Sequence, residues 1–128
     1  MTPDALDPPA LEFLAERHLA TLSIPRADAS VQVVPVGFTY GGDGVARIIT
    51  RAGSVKACRL RSAPGLWVSV CQVDGPRWLT LEGPAVVTDD PDRVARAVDA
   101  YTERYRPPRA DPDRVAIEVN VERVTGRW

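Results

Sequence analysis

The chain has 128 residues, a length typical of one domain with one hydrophobic core, so we expect residues 1–128 to fold as a single unit. Its formal net charge of -1 gives no support to a nucleic-acid-binding protein, which would carry a dense basic surface. No apolar run is long enough to cross a bilayer and the N-terminus lacks a signal-peptide pattern, which predicts a cytoplasmic protein with no membrane partner.

The first predicted elements are a short helix and a β-hairpin. Asp7 precedes two prolines at the first helical positions, and apolar residues then recur at helical spacing up to His18. An extended stretch over residues 19–24, a polar turn and a second strand over residues 31–40 predict the hairpin. Pro35 removes a backbone donor inside the second strand, which predicts an edge strand or a bulge.

The remaining elements are predicted to be mostly strands joined by short turns. A Gly-Pro turn at residues 75–76 demands antiparallel pairing of the two long strands on either side of it. In chain order we predict a strand over 45–50, a helix over 54–61, strands over 66–73 and 77–87, a helix from 89 to about 106, and a strand over 115–124. Six strands and three short peripheral helices predict a mainly β, α+β fold built as a small antiparallel barrel.

The segment between the third strand and the second helix has the composition of an anion site. Thr50 and Ser54 offer hydroxyl donors, and Arg51 and Lys56 offer positive charge. Gly53 lets the backbone turn tightly before a helix that begins at Ser54, and helix N-termini bind phosphate. The alternative is that Ser54 only caps the helix while the cations are solvated.

Motifs of familiar catalytic chemistry are absent. The sequence has no nucleophile elbow, no phosphate loop with Gly-Lys-Ser/Thr and no dinucleotide fingerprint. With one histidine and two well-separated cysteines, Cys58 and Cys71, we expect no metal centre. If the protein is an enzyme, a bound cofactor carries the chemistry and no side chain acts as a catalytic group.

Several segments, taken in order, resemble one known family across nearly the whole chain. They are residues 20–22, 34–38, 49–51 with 54–56, and 78–83. Together they are similar to the split β-barrel flavin and deazaflavin oxidoreductases, which include the pyridoxamine 5′-phosphate oxidase-like proteins with their FMN-binding split barrel. Residues 71–83 and 104–109 also resemble the F420-dependent biliverdin reductases of mycobacteria within that family.

The resemblance implies a homodimer with a cofactor groove at each side of the interface. By the family's pattern, hydroxyl and basic residues after the third strand hold the cofactor phosphate, while two other strands line the ring. The implied cofactor-binding residues are Val34, Pro35, Val36, Thr50, Arg51, Ser54, Lys56, Ala57, Gln72, Arg77, Trp78 and Leu79.

The implied cofactor is coenzyme F420, an 8-hydroxy-5-deazaflavin that carries a phosphodiester. Its reduced form would deliver a hydride from ring carbon C5 to a small-molecule conjugated acceptor, reducing biliverdin to bilirubin. Arg77, Arg106 and Arg109 are candidates for binding the substrate carboxylates. Two alternatives stay open: an FMN-dependent pyridoxamine 5′-phosphate oxidase-like enzyme, and a non-catalytic carrier of deazaflavin or tetrapyrrole.

Overall fold

The computed structural model describes all of residues 1–128 as eight strands with helices at the periphery. The helices are a 3-10 turn (Pro3–Ala5), α1 (Pro8–Ala15), α2 (Val55–Ser62) and α3 (Pro91–Arg104). The strands are β1 (Ala20–Pro25), β2 (Val31–Val36), β3 (Thr39–Tyr40), β4 (Val45–Arg51), β5 (Leu66–Asp74), β6 (Arg77–Thr88), β7 (Arg114–Asn120) and β8 (Arg123–Arg127). None of the helices has the length and apolar character needed to cross a bilayer.

All eight strands belong to one antiparallel sheet, and its longest strand, β6, pairs with different strands in its first and last parts. The sheet order is β2-β1-β5-β6-β7-β4-β3, and β8 pairs with β6 outside this path. The first part of β6, residues 78–82, pairs with β8, and the last part, residues 85–88, pairs with β7. Gly83 lies between the two parts, where a Cβ would come within 1.8 Å of the Asn120 carbonyl oxygen. Only glycine fits this close approach, so it is required where the barrel splits.

The mainly β split-barrel class is confirmed, but the predicted count of six strands is wrong. The predicted strand over residues 31–40 is two strands, β2 and β3, because the chain leaves the ladder at Phe38, whose N–H donates to the Tyr105 hydroxyl at 3.2 Å. The predicted strand over residues 115–124 is likewise β7 and β8. At that break Glu122 donates its N–H to the Glu82 carbonyl at 2.8 Å. The first break lets the chain pass from pairing with β1 to pairing with β4, and the second lets it pair with the first part of β6 instead of the last.

The helices begin where capping residues predict. Asp7 accepts from the Ala10 N–H at 3.0 Å at the start of α1, and Ser54 and Asp90 cap α2 and α3 in the same way. The edge position predicted for Pro35 is confirmed, because β2 ends the sheet and pairs only with β1. Twenty buried residues form one core, and all but Phe38 and Val121 come from the strands, α1 and α2.

Candidate functional site

The turn from β4 into α2 forms one wall of a pocket with a volume of about 500 Å³, which we call the β4–α2 pocket. Its lining contains all four residues for which a phosphate-binding role is predicted. Asp113, from the loop before β7, also lines it. The lining residues are Thr50, Arg51, Ala52, Gly53, Ser54, Lys56 and Asp113.

Hydroxyl groups at the pocket are already ordered by the helix start. Thr50 Oγ1 donates to Ser54 Oγ at 3.0 Å, and the same Ser54 oxygen accepts from the Ala57 N–H at 3.2 Å. A serine hydroxyl accepts two hydrogen bonds and donates one, so the Ser54 hydrogen stays available to a ligand. The first N–H groups of α2 add donors at the same place.

The two cations of the pocket differ in how far they are engaged. Arg51 Nε lies 3.2 Å from Asp111 Oδ2, and its Nη2 lies 3.8 Å from Asp113 Oδ2. Lys56 is half-buried and forms no ion pair with any carboxylate of the chain. Burial lowers the pKa of the Lys56 ammonium. A partly desolvated, unpaired ammonium is able to bind an anion, and a phosphate contact at Lys56 stays a prediction.

Gly53 does not have the role that was expected from the sequence. Its φ lies outside the left-handed region, and a Cβ at this position would meet no atom within 4 Å. The turn is closed by a 3.0 Å hydrogen bond from the Ser54 N–H to the Arg51 carbonyl. The expectation that the turn needs glycine's conformational freedom is therefore wrong, and the absent side chain instead leaves space in the pocket.

The residues for which contacts to the cofactor ring are predicted lie on β2 and β6, outside the β4–α2 pocket. On β2, Val36 is buried, Val34 is half-buried and Pro35 is exposed. On β6, Trp78 is exposed and Leu79 is buried in the core. Within one chain, the structure thus does not bring the predicted ring contacts together with the predicted phosphate contacts. Their cofactor roles stay predictions.

Gln72 lies in the core, where both ends of its amide are occupied. Its Nε2 donates to the Phe13 carbonyl at 2.9 Å, and its Oε1 accepts from Arg104 Nη2 at 2.5 Å. The side chain is fully buried. In this structure Gln72 therefore ties α1 to α3, and a contact with a cofactor stays a prediction.

Arg77 is held by two carboxylates at the turn between β5 and β6. It forms a double hydrogen bond with Glu16 at 2.8 and 3.0 Å and a further ion pair with Asp74. Its guanidinium also lies over the Phe13 ring, 4.4 Å from the centroid. The hydrogen bonds from Arg77, and then from His18, lower the pKa of Glu16 to about 2. A ligand would have to compete with these partners for Arg77.

Arg106 and Arg109 line a second pocket of about 510 Å³, which we call the arginine pocket. Its other lining residues are Tyr101, Pro107 and Pro108. Neither arginine forms an ion pair within the chain, in contrast to Arg77. Arg114 donates to the Arg109 carbonyl, and Asp111 further along the loop binds Arg51. One loop, residues 106–113, therefore borders both pockets.

Sequence reasoning missed the structural role of Arg104 and the position of Asp113. Arg104 donates through Nε and Nη2 to the Glu16 carbonyl at 2.9 and 2.7 Å, and through Nη1 to the Phe38 carbonyl. Burial lowers the pKa of the Arg104 guanidinium. A basic residue in the last turn of a helix is usually solvated, so no local pattern marked Arg104. Asp113 lies far from Arg51 in sequence, and only the pairing of β4 with β7 brings them together.

Comparison with known proteins gives a consistent result over nearly the whole chain. Residues 6–128 match the profile of the pyridoxamine 5′-phosphate oxidase family. A protein named F420H(2)-dependent biliverdin reductase, from Mycobacterium tuberculosis (strain CDC 1551 / Oshkosh), is 52% identical over 126 residues, which is 98% of this chain and 90% of the relative.

Two solved structures share the fold at low sequence identity. A conserved hypothetical protein from Mycobacterium tuberculosis has a TM-score of 0.77 at 23% identity, over 98% of this chain and 84% of the other. An F420 reductase has a TM-score of 0.69 at 24% identity, over 89% of this chain and 94% of the other. With the family match and the 52% identical relative, these findings confirm the resemblance drawn from the sequence: the chain belongs to the pyridoxamine 5′-phosphate oxidase family.

Proposed function

We propose that this protein is an F420-dependent oxidoreductase that reduces a conjugated acceptor, namely biliverdin to bilirubin. The relative that is 52% identical carries the name F420H(2)-dependent biliverdin reductase. The structural observation that carries the proposal is Lys56, an unpaired and half-buried ammonium beside the Thr50–Ser54 hydroxyl pair. Such a group suits an anion, and the family resemblance implies that this anion is the cofactor phosphate.

The β4–α2 pocket fits the phosphodiester of F420 in its donor chemistry. Lys56 and Arg51 supply positive charge, Ser54 retains a hydrogen to donate, and Thr50 holds the Ser54 oxygen in place. The buried Ala57 N–H fixes the same oxygen from within α2. Charge-assisted hydrogen bonds of this kind contribute about 1.5–3 kcal/mol each.

The chain's own part in the reaction is to bind and orient. Reduced F420, when bound, supplies the hydride that the acceptor receives. The cofactor ring would contact edge strand β2 through Val34, Pro35 and Val36. It would also contact Trp78 and Leu79 on β6, and Gln72 and Arg77 would make smaller contributions. In this account no side chain acts as a nucleophile, so alignment and exclusion of water provide the rate enhancement.

The arginine pocket would take the carboxylates of the substrate. Arg106 and Arg109 are free of carboxylate partners, whereas Arg77 is held by Glu16 and Asp74. Arginine binds carboxylates through two parallel hydrogen bonds, which would fix the orientation of an extended tetrapyrrole. We therefore rank Arg106 and Arg109 above Arg77 as substrate-binding residues.

The proposal includes a homodimer in which residues 1–128 form a single domain. Exposed apolar side chains supporting such an interface lie on β2 and on the turn end of β5: Val31 and Val33 are 53% and 58% exposed, and Val73 is 58% exposed. Trp78 is the cross-strand partner of Val73 on the same outward face. A second copy packed there would bring its own residues toward the ring contacts on β2 and β6.

The cytoplasm is the proposed location of the reaction. Both cysteines, Cys58 and Cys71, are free thiols, which fits a reducing compartment. Fractionation of cells that express the chain at its native level would test this location.

An FMN-dependent enzyme is the second candidate, because the family match is to pyridoxamine 5′-phosphate oxidase. An FMN phosphate would use the same Lys56 and Ser54 donors. The third candidate, a carrier without turnover, would bind deazaflavin or tetrapyrrole in the same groove.

A direct comparison of cofactors tests the proposal. The purified protein is titrated with F420 and with FMN, and reduced F420 is then mixed with biliverdin under anaerobic conditions. We expect tighter binding of F420 and oxidation of reduced F420 in step with bilirubin formation. Retention of FMN with no affinity for F420 would favour the second candidate, and tight F420 binding without turnover would favour the carrier.

A further inference from the structure

The β4–α2 pocket contains a carboxylate, which an anion site would not be expected to hold. Asp113 lines the pocket and is 66% exposed. Its backbone position is fixed, because the Ala52 N–H donates to the Asp113 carbonyl at 2.8 Å and the Asp113 N–H donates to Asp111 Oδ1 at 2.9 Å. The main chain therefore places residue 113 beside the pocket, and its carboxylate is exposed to solvent there.

Asp113 is not the principal partner of Arg51. Asp111 fills that role, since its Oδ2 lies 3.2 Å from Arg51 Nε and its side chain is only 19% exposed. The corresponding distance from Asp113 Oδ2 to Arg51 Nη2 is 3.8 Å. The Asp113 charge is thus little neutralised within the chain, and a bound phosphate would experience it.

The pocket region contains two negative charges, on Asp111 and Asp113, and two positive charges, on Arg51 and Lys56. A phosphate monoester such as that of FMN carries about -1.5 to -2 charges at neutral pH, because its second pKa is near 6. A phosphodiester has no second acidic proton and carries a single negative charge. Coulomb repulsion is proportional to charge, so a nearby carboxylate repels a monoester about twice as strongly as a diester.

We propose that Asp113 is a specificity-determining residue, which shifts the relative affinity of the β4–α2 pocket away from the phosphate monoester of FMN and toward the phosphodiester of F420. This inference rests on the proposed function, because it assigns the cofactor phosphate to that pocket. Lys56 and Arg51 attract the more highly charged monoester more strongly, and the Asp113 carboxylate offsets part of that advantage.

The test measures dissociation constants for F420 and FMN with the parent and with Asp113→Asn. The substitution keeps the size of the side chain and both main-chain hydrogen bonds, so the fold should be retained. At low ionic strength we expect FMN to bind roughly threefold to fivefold more tightly to the variant, and F420 less than twofold more tightly. Asp113→Lys should extend the change in the same direction.

The control is Glu12→Gln, which removes one negative charge from an exposed position on α1. It should leave the ratio of the two dissociation constants unchanged. An unchanged ratio in Asp113→Asn, with the parent still preferring F420, would overturn the specificity role alone. A parent that does not bind F420, or that binds FMN more tightly, would overturn the proposed function and this inference with it.

Discussion

The β4–α2 pocket and the contact between α1 and α3 both contain basic side chains, but only the pocket has one that is free. Lys56 at the pocket has no carboxylate partner, whereas Arg104 between the helices donates to the carbonyls of Glu16 and Phe38 and to Gln72. A cation that makes four hydrogen bonds within the protein stabilises the fold. A half-buried cation without partners is available to a ligand.

Burial has the same effect on the pKa of Lys56 and of Arg104, but the two side chains differ in their hydrogen bonds. It lowers the pKa of both Lys56 and Arg104 because a charged group loses hydration. Arg104 regains hydrogen bonds inside the protein, and Lys56 does not. The comparison therefore predicts that losing Arg104 reduces stability, while losing Lys56 reduces ligand affinity.

Replacing Arg104 with methionine should have a larger effect than any substitution of Lys56, Glu16 or Gly53 described below. The change removes the Arg104 hydrogen bonds to the Glu16 carbonyl and to the Gln72 amide oxygen, and it leaves the Phe38 carbonyl with only the Tyr105 hydroxyl at 3.2 Å. This loss should lower the free energy of unfolding by about 2–4 kcal/mol. Urea unfolding measures this loss. Arg106→Met, which removes an exposed cation from the same segment, is the control. Equal unfolding midpoints for the two variants would contradict the structural role of Arg104.

Lys56→Ala should weaken F420 binding roughly tenfold to hundredfold, since a charge-assisted hydrogen bond of about 1.5–3 kcal/mol is lost. The unfolding midpoint should stay close to that of the parent, because Lys56 has no partner in the fold. Arg17→Ala removes one exposed positive charge elsewhere and serves as the control for net charge. An unchanged affinity in Lys56→Ala would show that the phosphate does not bind in the β4–α2 pocket.

Glu16→Gln tests whether the exposed ion pair between Glu16 and Arg77 makes the stability of the fold depend on pH. The folded-state pKa of Glu16 is about 2, below its ordinary value of 4.5. Its contribution to stability is therefore present above about pH 4.5 and is lost as the pH falls toward 2. The variant should show a shallower loss of stability across that interval in acid unfolding monitored by circular dichroism. Superimposable profiles for variant and parent would mean that solvent screening removes the contribution.

Gly53→Ala should have the smallest effect. The φ of Gly53 is not left-handed and a Cβ there has open space, so the unfolding free energy should change by less than about 1 kcal/mol, with stabilisation the expected direction. Gly83→Ala is the contrasting variant, because its Cβ would collide with the Asn120 carbonyl oxygen. A large loss of stability in Gly53→Ala would contradict the geometry of the β4–α2 turn.

Local sequence signals predicted most of the fold. Two helix starts were predicted correctly from the capping residues Asp7 and Ser54, and the β5–β6 hairpin was predicted from the Gly75-Pro76 turn. Caps and tight turns depend on residues that are neighbours in sequence, so local patterns identify them. The strand count failed at Phe38 and at residues 121–122. Those breaks are set by partners distant in sequence, Tyr105 and Glu82, which no local pattern identifies.

In the candidate site, too, features set by residues close in sequence were predictable and features set by distant residues were not. Thr50, Arg51, Ser54 and Lys56 lie within seven residues of one another along the chain, and they do line one pocket. The engagement of Arg77 by Glu16 is decided by long-range packing and was not visible in the sequence. The sequence identifies the basic residues near a site, but only the fold shows which of them already have carboxylate partners.

The central claim, hydride transfer from reduced F420 to biliverdin, is tested most directly by isotope labelling. Reduced F420 carrying deuterium at C5 is mixed with biliverdin and the protein under anaerobic conditions, and the bilirubin is analysed by mass spectrometry and NMR. We expect one deuterium at the central carbon bridge of the product. Bilirubin that carries no deuterium, or the absence of bilirubin despite bound cofactor, would contradict the account.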